Sequence, residues 1–486
     1  MGERVQRTEA PRHQLPRDRR HLPGRGRRQA EGGLIVTGTA IGLLVVVGLA
    51  LLLKWRRPAW YWLAFGIALA ALRVLIRYAS VMDACGLTVP PSRLRLAWAR
   101  IAHRPIPASR PPRILSLRPT RTGLVLRLGL RPGQDAFDFA ASTDRLRHSF
   151  TMQGVTSREI KSGVVELRMT GYDVLKRVQM PARVIREGLR IPVALREDGE
   201  VHYRDYRQVP HALNLGATES GKSVYQRQLV KELAALDVAL VGIDCKEGVE
   251  LYPLARRFSA LADNADDAAD LLDVLVERMA ATYRIVRREQ RISSDVPDAE
   301  ITADIWGLPD HLRPTPIVLL VDEVAELSLF ANSAEKKRRE RIVTALVRLV
   351  QLGRAAGIYV EICGQRFGSE LGDGITMLRA QLTGRTAHRV NDEASAKMAF
   401  GDISPDAVVA ATQIPANRPG TAVAGDSTGG WVRIRAPFTS LRQAVNVCNA
   451  NAHRTPDLPE LAPFRPLPPT VSLVKIPAPT EAPASV

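Results

Sequence analysis

The residues of this chain best suited to chemistry form the pattern Gly-x-x-x-x-Gly-Lys-Ser, which follows a short apolar run. The two glycines let the backbone curl, so that successive N–H groups and the N-terminus of the next helix point at phosphate oxygens. Lys222 would then reach the β- and γ-phosphates, and the Ser223 hydroxyl would bind Mg²⁺. The pattern predicts a P-loop that binds a nucleotide through Gly216, Ala217, Thr218, Glu219, Ser220, Gly221, Lys222 and Ser223.

A second pattern lies about a hundred residues downstream. Pro316 to Val321 is an uninterrupted apolar run, typical of a central parallel strand that is covered on both faces, and it ends at Asp322 and Glu323. Asp322 would join the Mg²⁺ shell, and Glu323 would polarise the attacking water. Either pattern alone is also explained by an apolar strand that happens to end in polar residues. Both in this order predict a site that hydrolyses a nucleotide, with Glu323 as a catalytic residue and Ser223 and Asp322 as metal ligands.

The charge of the chain is unevenly distributed. The formal net charge is +18, yet residues 1–204 contain 36 Lys and Arg against 15 Asp and Glu, whereas residues 205–486 contain 32 against 35. An N-terminal part that faces an anionic surface, either lipid or nucleic acid, explains this excess. The four cysteines are far apart and show no metal-binding spacing, which argues against a disulfide framework and a zinc site.

Two apolar stretches near the N-terminus predict a membrane anchor of two helices. Leu34 to Leu53 has no charged residue and is long enough to cross a hydrocarbon core of about 30 Å. Trp60 to Ile76 opens with aromatic residues, as at a membrane interface, and Arg73 near its end would extend to the headgroups. Two crossings place both termini on one side, and the Arg-rich tail makes that side the cytoplasm. Nucleic-acid binding is the alternative role for this tail.

The residues between the anchor and the P-loop predict a small α+β module. Gly123 to Leu128 and Val164 to Met169 are typical of strands, and Ala136 to Gly154 has the apolar spacing of a helix. The predicted parts in order are a basic disordered tail (1–32), a two-helix anchor (33–78), a linker (79–112), the α+β module (113–200), an α/β P-loop ATPase motor (201–440) and a Pro-rich tail (441–486), disordered from Leu458 onward.

Several blocks beyond the P-loop support a resemblance to a known family. They are the strand His211 to Leu215, the segment Ile243-Asp244-Cys245-Lys246, the run Asp322-Glu323-Val324-Ala325-Glu326-Leu327, and Gly353 to Ile358 followed by Gly364-Gln365-Arg366. In this order the blocks resemble the FtsK/SpoIIIE family of hexameric DNA-pumping ATPases. The resemblance extends from Gly123 to Pro437.

This resemblance implies a RecA-like α/β motor that assembles into a hexameric ring and moves double-stranded DNA with ATP and Mg²⁺. Gln365 would lie beside the γ-phosphate as a second catalytic residue, able to orient water or report hydrolysis. A neighbouring subunit would contribute an arginine to each site, with Arg385 and Arg278 as candidates. Asp244 and Lys246 form either a structural ion pair or part of the site.

The short anchor and single motor are similar to actinobacterial transfer proteins of this family, which implies conjugative transfer of a plasmid or integrative element. The partners would be DNA, membrane lipid, further copies of the chain and other transfer proteins. Chromosome segregation is one alternative, although only about fifty residues follow Pro437, too few for a DNA-reading winged-helix domain. Protein export by a type VII-like secretion ATPase and a scaffold that binds nucleotide without hydrolysis are the others.

Overall fold

The computed structural model describes residues 44–105, 108–181, 184, 187–401, 403–426 and 429–466. The predicted basic tail, the first half of the first predicted membrane span and the chain beyond residue 466 lie outside the described residues. By its internal contacts the chain divides into two compact units, Met1–Leu69 and Ala70–Val486.

One helix among the described residues is long and apolar enough to cross a membrane. It spans Pro58–Ala84 and includes an 18-residue window of mean hydropathy 1.8, so it contains the second predicted span. Helix α1 is described only over residues 44–56, and the two-helix anchor therefore stays a prediction. The long helix consists of α2 (Pro58–Tyr61), a π-helical turn (Trp62–Gly66) and α3 (Ile67–Ala84).

The C-terminal part of α3 packs against the residues that follow it in the chain. Val74 and Met82 are fully buried, and the Tyr78 hydroxyl donates to the Pro112 carbonyl at 2.9 Å. The Arg73 guanidinium, which we expected at the lipid headgroups, donates to the Phe150 carbonyl at 3.4 Å. The predicted linker thus begins as helix, and a short helix, α4 (Arg93–Ile101), follows within it.

The module after this helix is a four-stranded antiparallel sheet covered by two helices. Its strands lie in the order β1-β2-β4-β3. The single helix predicted at Ala136 to Gly154 is two helices that meet at Ser142. The elements are β1 (Arg113–Pro119), β2 (Gly123–Gly129), α5 (Ala136–Ala141), α6 (Thr143–Phe150), β3 (Gly154–Lys161) and β4 (Val164–Thr170).

The motor is built on a sheet of ten described strands in the order β6-β5-β14-β13-β12-β7-β11-β10-β8-β9. The strands from β12 to β9 are parallel, and the other four add to the β12 side in antiparallel pairs. The parallel strands are β7 (His211–Leu215), β8 (Ala239–Ile243), β9 (Phe258–Ala262), β10 (Ile317–Val321), β11 (Ile358–Gly364) and β12 (Gly384–His388). The antiparallel strands are β5 (Arg190–Arg196), β6 (Val201–Asp205), β13 (Thr421–Gly425) and β14 (Trp431–Arg435).

Helices cover both faces of this sheet, which is why its central strands are uniformly buried. Helices α8, α9, α11 and α12 pack on one face, and α7 and α13 on the other. Strand β11 lies between β7 and β10, so the C-terminal ends of these three strands share one edge. The helices are α7 (Lys222–Leu233), α8 (Ala265–Glu289), α9 (Ser333–Leu352), α10 (Ile375–Gln381), α11 (Glu393–Phe400), α12 (Pro405–Thr412) and α13 (Leu441–Ala450).

Two segments lie differently from where the sequence placed them. Strand β5, within the stretch 113–200 assigned to the module, pairs with β14 in the large sheet. At the other end, α13 and the 3₁₀ segment Pro459–Phe464 pack onto the motor through the fully buried Cys448 and Leu461. Part of the predicted Pro-rich tail is therefore core structure.

Helix α9 and the segment after Gln365 are joined by one buried arginine. Arg339, in the run of charged residues from Lys336 to Arg341, is 4% exposed. Its Nε and Nη2 donate to the Leu371 carbonyl at 3.1 and 2.8 Å, and Nη2 also donates to the Asp373 carbonyl at 2.9 Å. Arg339 therefore fixes the turn that precedes α10.

We expect Arg339→Ala to release this turn, because the carbonyls of Leu371 and Asp373 lose their charged donor. Amide hydrogen exchange over residues 368–374 should accelerate about tenfold or more. Lys337→Ala, on the exposed side of the same helix, is the matched control. Unchanged exchange in the Arg339 variant would show that the turn holds its conformation without this side chain.

Candidate functional site

The loop between β7 and α7 has the backbone geometry of a phosphate cradle. Glu219 and Gly221 have positive φ angles of 61° and 97°. A Cβ atom at Gly221 would lie 2.2 Å from the Gly420 nitrogen, and one at Gly216 would lie 2.5 Å from the Ser220 hydroxyl. Gly221 is therefore required by its backbone conformation and by the nearby backbone, and a side chain at Gly216 would displace Ser220 or His388. The loop is tied to the neighbouring strands by Gly216 N–H to the Gly364 carbonyl (3.1 Å) and Ala217 N–H to the Arg389 carbonyl (2.9 Å).

Some residues of the P-loop are exposed and others are buried, as expected for a loop that binds the phosphates of a nucleotide. Thr218 and Glu219 are exposed, whereas Ala217, Ser220 and Lys222 are buried and Ser223 is half-buried. The Ser220 hydroxyl has no hydrogen-bond partner among the described residues. Because a buried polar atom without a partner is costly, this oxygen is suited to contact a bound group.

The predicted lysine and carboxylates meet at the shared edge of the sheet. The Lys222 ammonium donates to Glu323 Oε2 at 3.2 Å, although the two residues lie 101 positions apart in the chain. The side chains of Asp322 and Glu323 are 2% and 4% exposed. The P-loop and the acidic strand end therefore form one site, with two buried carboxylates facing the loop.

Lys246 is a second cation at these carboxylates. It follows β8, the parallel neighbour of β10, and its ammonium lies 3.2 Å from Asp322 Oδ2 and 3.5 Å from Glu323 Oε2. Burial alone would lower the pKa of Lys246, but Asp322 and Glu323 raise it above its ordinary value. Asp244 instead accepts the backbone N–H groups of Glu250 and Leu251 at 2.9 and 3.0 Å, so its role is structural.

Asp322 is suited to bind a metal ion. Burial raises the pKa of its carboxyl group, and the nearby Lys246 and Lys222 oppose that rise. Its Oδ2 is bonded to Lys246, whereas its Oδ1 is buried without a hydrogen-bond partner in the described part of the chain. A carboxylate oxygen and a hydroxyl beside a phosphate cradle are ligands that Mg²⁺ accepts. Asp322 and Ser223 therefore fit the predicted metal.

Gln365 lies at the same edge of the sheet as the P-loop and the acidic strand. It follows β11, between the P-loop strand and the acidic strand, and its backbone N–H donates to Glu323 Oε1 at 3.2 Å. Its side chain is exposed at the edge of the sheet. Glu323 is thus held from two sides, by Lys222 and by the backbone of Gln365, while the Gln365 amide remains accessible to a substrate.

The two arginine candidates are both engaged within their own chain. Arg385 is 5% exposed, and its Nη2 donates to the Arg379 carbonyl. Arg278 forms an ion pair with Glu460, and its Nη2 donates to the Thr315 carbonyl at 3.3 Å. To act in a neighbouring site, either guanidinium would first have to leave these partners, so the contributed arginine stays a prediction.

Sequence reasoning did not assign two residues to the site. For Lys246 the sequence left two roles open, an ion pair with Asp244 or a part of the site. Arg389 follows β12, the other neighbour of the P-loop strand, and its Nη2 donates to the Thr218 carbonyl at 3.0 Å. Both residues are basic and follow a strand that lies parallel to β7 or β10. This position could have identified them, but only after the order of the strands in the sheet was known.

Two histidines of the motor are buried. His211 is 2% exposed and His388, beside Gly216, is fully buried. Burial lowers the pKa of each to about 3, whereas in the unfolded chain it is about 6.5. Since the unfolded chain binds protons first, this contribution to stability is complete above about pH 6.5 and is lost as the pH falls toward 3.

We therefore expect the free energy of unfolding to fall by about 2 kcal/mol per histidine between pH 7 and pH 5. Thermal unfolding midpoints at the two pH values measure this loss. In His388→Gln the difference between the midpoints should shrink. An equal difference in the variant and in the parent chain would assign the acid sensitivity to other groups.

Two family models and several known proteins match this chain. Residues 49–171 match the actinomycete conjugal transfer protein N-terminal domain, and residues 174–369 match the FtsK/SpoIIIE family. The transfer protein TraSA of Streptomyces ambofaciens is 74% identical over 414 residues, which cover 85% of this chain and all of that protein. A sporulation regulatory protein of Streptomyces azureus is 57% identical over 260 residues, 54% of this chain and 82% of that protein.

Among solved structures, the monomer form of the pCW3 conjugation coupling protein TcpA with ATPγS is similar. It matches with a TM-score of 0.49 and 18% sequence identity, over 73% of this chain and 98% of that one.

Proposed function

Since this chain belongs to the FtsK/SpoIIIE family of ATPases and, within it, to the actinomycete conjugal transfer proteins, we propose that it moves double-stranded DNA by ATP hydrolysis during conjugative transfer of a plasmid or integrative element. The observation that supports this most is the meeting of Lys222, Glu323 and Gln365 at one edge of the sheet. These three residues supply a phosphate-binding cation, a base and a water-orienting amide.

The chain's own residues divide the work of hydrolysis. The loop amides and Lys222 bind the phosphates of ATP, and buried Glu323, fixed by two hydrogen bonds, orients the attacking water and accepts its proton. The Gln365 amide can donate to that water or to the γ-phosphate. Asp322 and Ser223 would hold Mg²⁺, which neutralises charge on the phosphates when it is bound.

The motor works as a homo-oligomer, in our proposal a hexameric ring. Support comes from exposure: Thr218, Glu219 and Gln365 lie on the open side of the site, where a neighbouring subunit can reach the nucleotide. Each subunit would contribute an arginine there, with Arg385 and Arg278 retained as candidates.

The helix Pro58–Ala84 holds the motor at the cell membrane, and we propose that α1 belongs to a second crossing. The buried C-terminal part of α3 then joins the membrane helix directly to the α+β module. We place the end of this module near residue 171, because β5 already belongs to the sheet of the motor. Other transfer proteins would meet the complex on the cytoplasmic side.

The test is the ATPase rate of the full chain in lipid nanodiscs with linear double-stranded DNA, single-stranded DNA or RNA. We expect strong stimulation by duplex DNA, which Lys222→Ala abolishes because the phosphates lose their cation. Lys397→Ala, which changes an exposed ion pair on α11, should leave both rates unchanged. Hydrolysis that continues without a response to any nucleic acid would overturn the DNA-translocation proposal.

A further inference from the structure

Lys246 is placed by the strand order of the sheet against the acidic pair of the site. Strands β8 and β10 run parallel with Ile243 opposite Val321, so the residues after each strand emerge side by side. The Lys246 ammonium is 3.2 Å from Asp322 Oδ2 and 3.5 Å from Glu323 Oε2. One ammonium therefore bridges both carboxylates.

The charges of this cluster balance. Asp322 and Glu323 are almost completely buried, and two buried carboxylates in contact with the same group repel each other strongly. Lys222 compensates Glu323 from the P-loop side, and Lys246 compensates the pair from the opposite strand. The side chain of Lys246 is 39% exposed, whereas that of Lys222 is 9% exposed. The Lys246 ammonium can therefore move into solvent at a lower cost than the Lys222 ammonium.

A divalent cation on Asp322 would meet the ammonium of Lys246. Mg²⁺ binds carboxylate oxygens at about 2.0–2.1 Å and requires near-octahedral geometry. Two cations that share one carboxylate repel each other, and the dry surroundings strengthen this repulsion. The ammonium on Oδ2 therefore opposes binding of Mg²⁺ at the unpartnered Oδ1 of the same carboxylate, and its withdrawal would remove this opposition.

We propose that Lys246 competes with Mg²⁺ for the Asp322 carboxylate and so makes tight binding of the metal depend on ATP, whose phosphates supply the additional ligands. This inference rests on the proposed function only in taking the site as an ATP site. Lys246 is thus a positioning residue that selects metal-bound nucleotide over the free metal ion.

Replacement of the Lys246 ammonium by Mg²⁺ at Asp322 needs only a movement of the Lys246 side chain. The backbone of the loop after β8 is fixed by Asp244, whose carboxylate accepts the N–H groups of Glu250 and Leu251 and, at 3.3 Å, of Lys246 itself. Arg227 holds the same loop through Glu250 at 2.7 Å. The anchor point of Lys246 therefore stays in place while its ammonium leaves Asp322.

The experiment is a titration of the full chain with Mg²⁺ in the absence of nucleotide, followed by the shift of the thermal unfolding midpoint. In Lys246→Met, a neutral side chain of similar length, Mg²⁺ should bind about tenfold more tightly because the competing cation is gone. Lys246→Arg keeps the charge and should bind Mg²⁺ as weakly as the parent chain. Lys231→Met, which removes another ion-paired lysine, is the matched control.

Two further measurements identify the site. Asp322→Asn in the Lys246→Met background should abolish the gain in Mg²⁺ affinity. A fluorescent ATP analogue in EDTA should bind the Lys246→Met variant no more tightly than it binds the parent chain, since only the metal competes with Lys246. Unchanged Mg²⁺ affinity in Lys246→Met would overturn the inference, as would weaker Mg²⁺ binding.

Neither titration needs hydrolysis or DNA. An absent response of the ATPase rate to nucleic acid would therefore leave the competition between Lys246 and Mg²⁺ intact. Conversely, a DNA-stimulated ATPase whose Lys246→Met variant binds Mg²⁺ no better would overturn the competition alone.

Discussion

Glu323→Gln should lower the rate of ATP hydrolysis by about 10²–10⁴-fold while nucleotide binding persists. The amide keeps the size of the carboxylate, and its oxygen can still accept from the Gln365 N–H, which donates to Glu323 at 3.2 Å. It can no longer take a proton from the attacking water. The loss should therefore appear in kcat, measured with saturating ATP and duplex DNA, together with an unchanged Kd for a fluorescent ATP analogue.

The matched control for this variant is Glu326→Gln. Glu326 lies three residues further along the same acidic segment but is exposed, so its loss of charge should change kcat less than twofold. A Glu323→Gln variant that hydrolyses ATP at the parent rate would remove Glu323 from the catalytic role. A variant that no longer binds the analogue would show that its charge is needed to hold the loop rather than to activate water.

The sequence was sufficient to predict those parts of the site in which a strand and the polar residues after it lie in one continuous segment. The acidic strand is an uninterrupted apolar run, since both faces of a parallel strand are covered by helices. The strand of the P-loop and the strand before Gln365 are mostly apolar, with His211 and Asn214 in the first and Glu361 in the second. The strand of the P-loop and the acidic strand both end in the structure at their predicted boundary, at Leu215 and at Val321. Their polar residues follow directly, and the C-terminal ends of parallel strands share an edge.

Contacts between distant segments could not be predicted in this way. Lys246 became part of the site only because β8 lies next to β10. The Pro-rich composition after Leu458 predicted disorder, yet Leu461 is fully buried in the motor. Composition describes the average of a segment, whereas its burial depends on whether the fold offers an apolar surface nearby.

A buried network of polar side chains that includes the strand of the P-loop also could not be predicted from the sequence. The Arg204 guanidinium on β6 donates to Glu361 Oε1 on β11 at 2.5 Å, and Asn214 on β7 donates to Glu361 Oε2 at 2.7 Å. These residues are separated by 157 and 147 positions. The Arg204 guanidinium also lies 4.2 Å from the ring centroid of Tyr206. A charged Glu361 inside an apolar strand is stable only because these partners come from other strands.

We therefore expect Glu361→Leu to lower the free energy of unfolding by about 3–5 kcal/mol, because it leaves Arg204 buried without its counter-charge. Chemical denaturation of the full chain measures this loss in the unfolding transition of the motor. Lys397→Ala, which breaks an exposed pair with Glu393, should change the same quantity by less than about 1 kcal/mol.

Adding Arg204→Met to Glu361→Leu should recover most of the loss, since two apolar side chains can replace a buried ion pair at little cost. The double variant separates two roles of the network. If stability returns and the ATPase rate does not, the charges position Asn214 and hence the P-loop strand that begins the nucleotide site. If the double variant is no more stable than Glu361→Leu, the loss does not come from the unpaired arginine, and the electrostatic explanation is wrong.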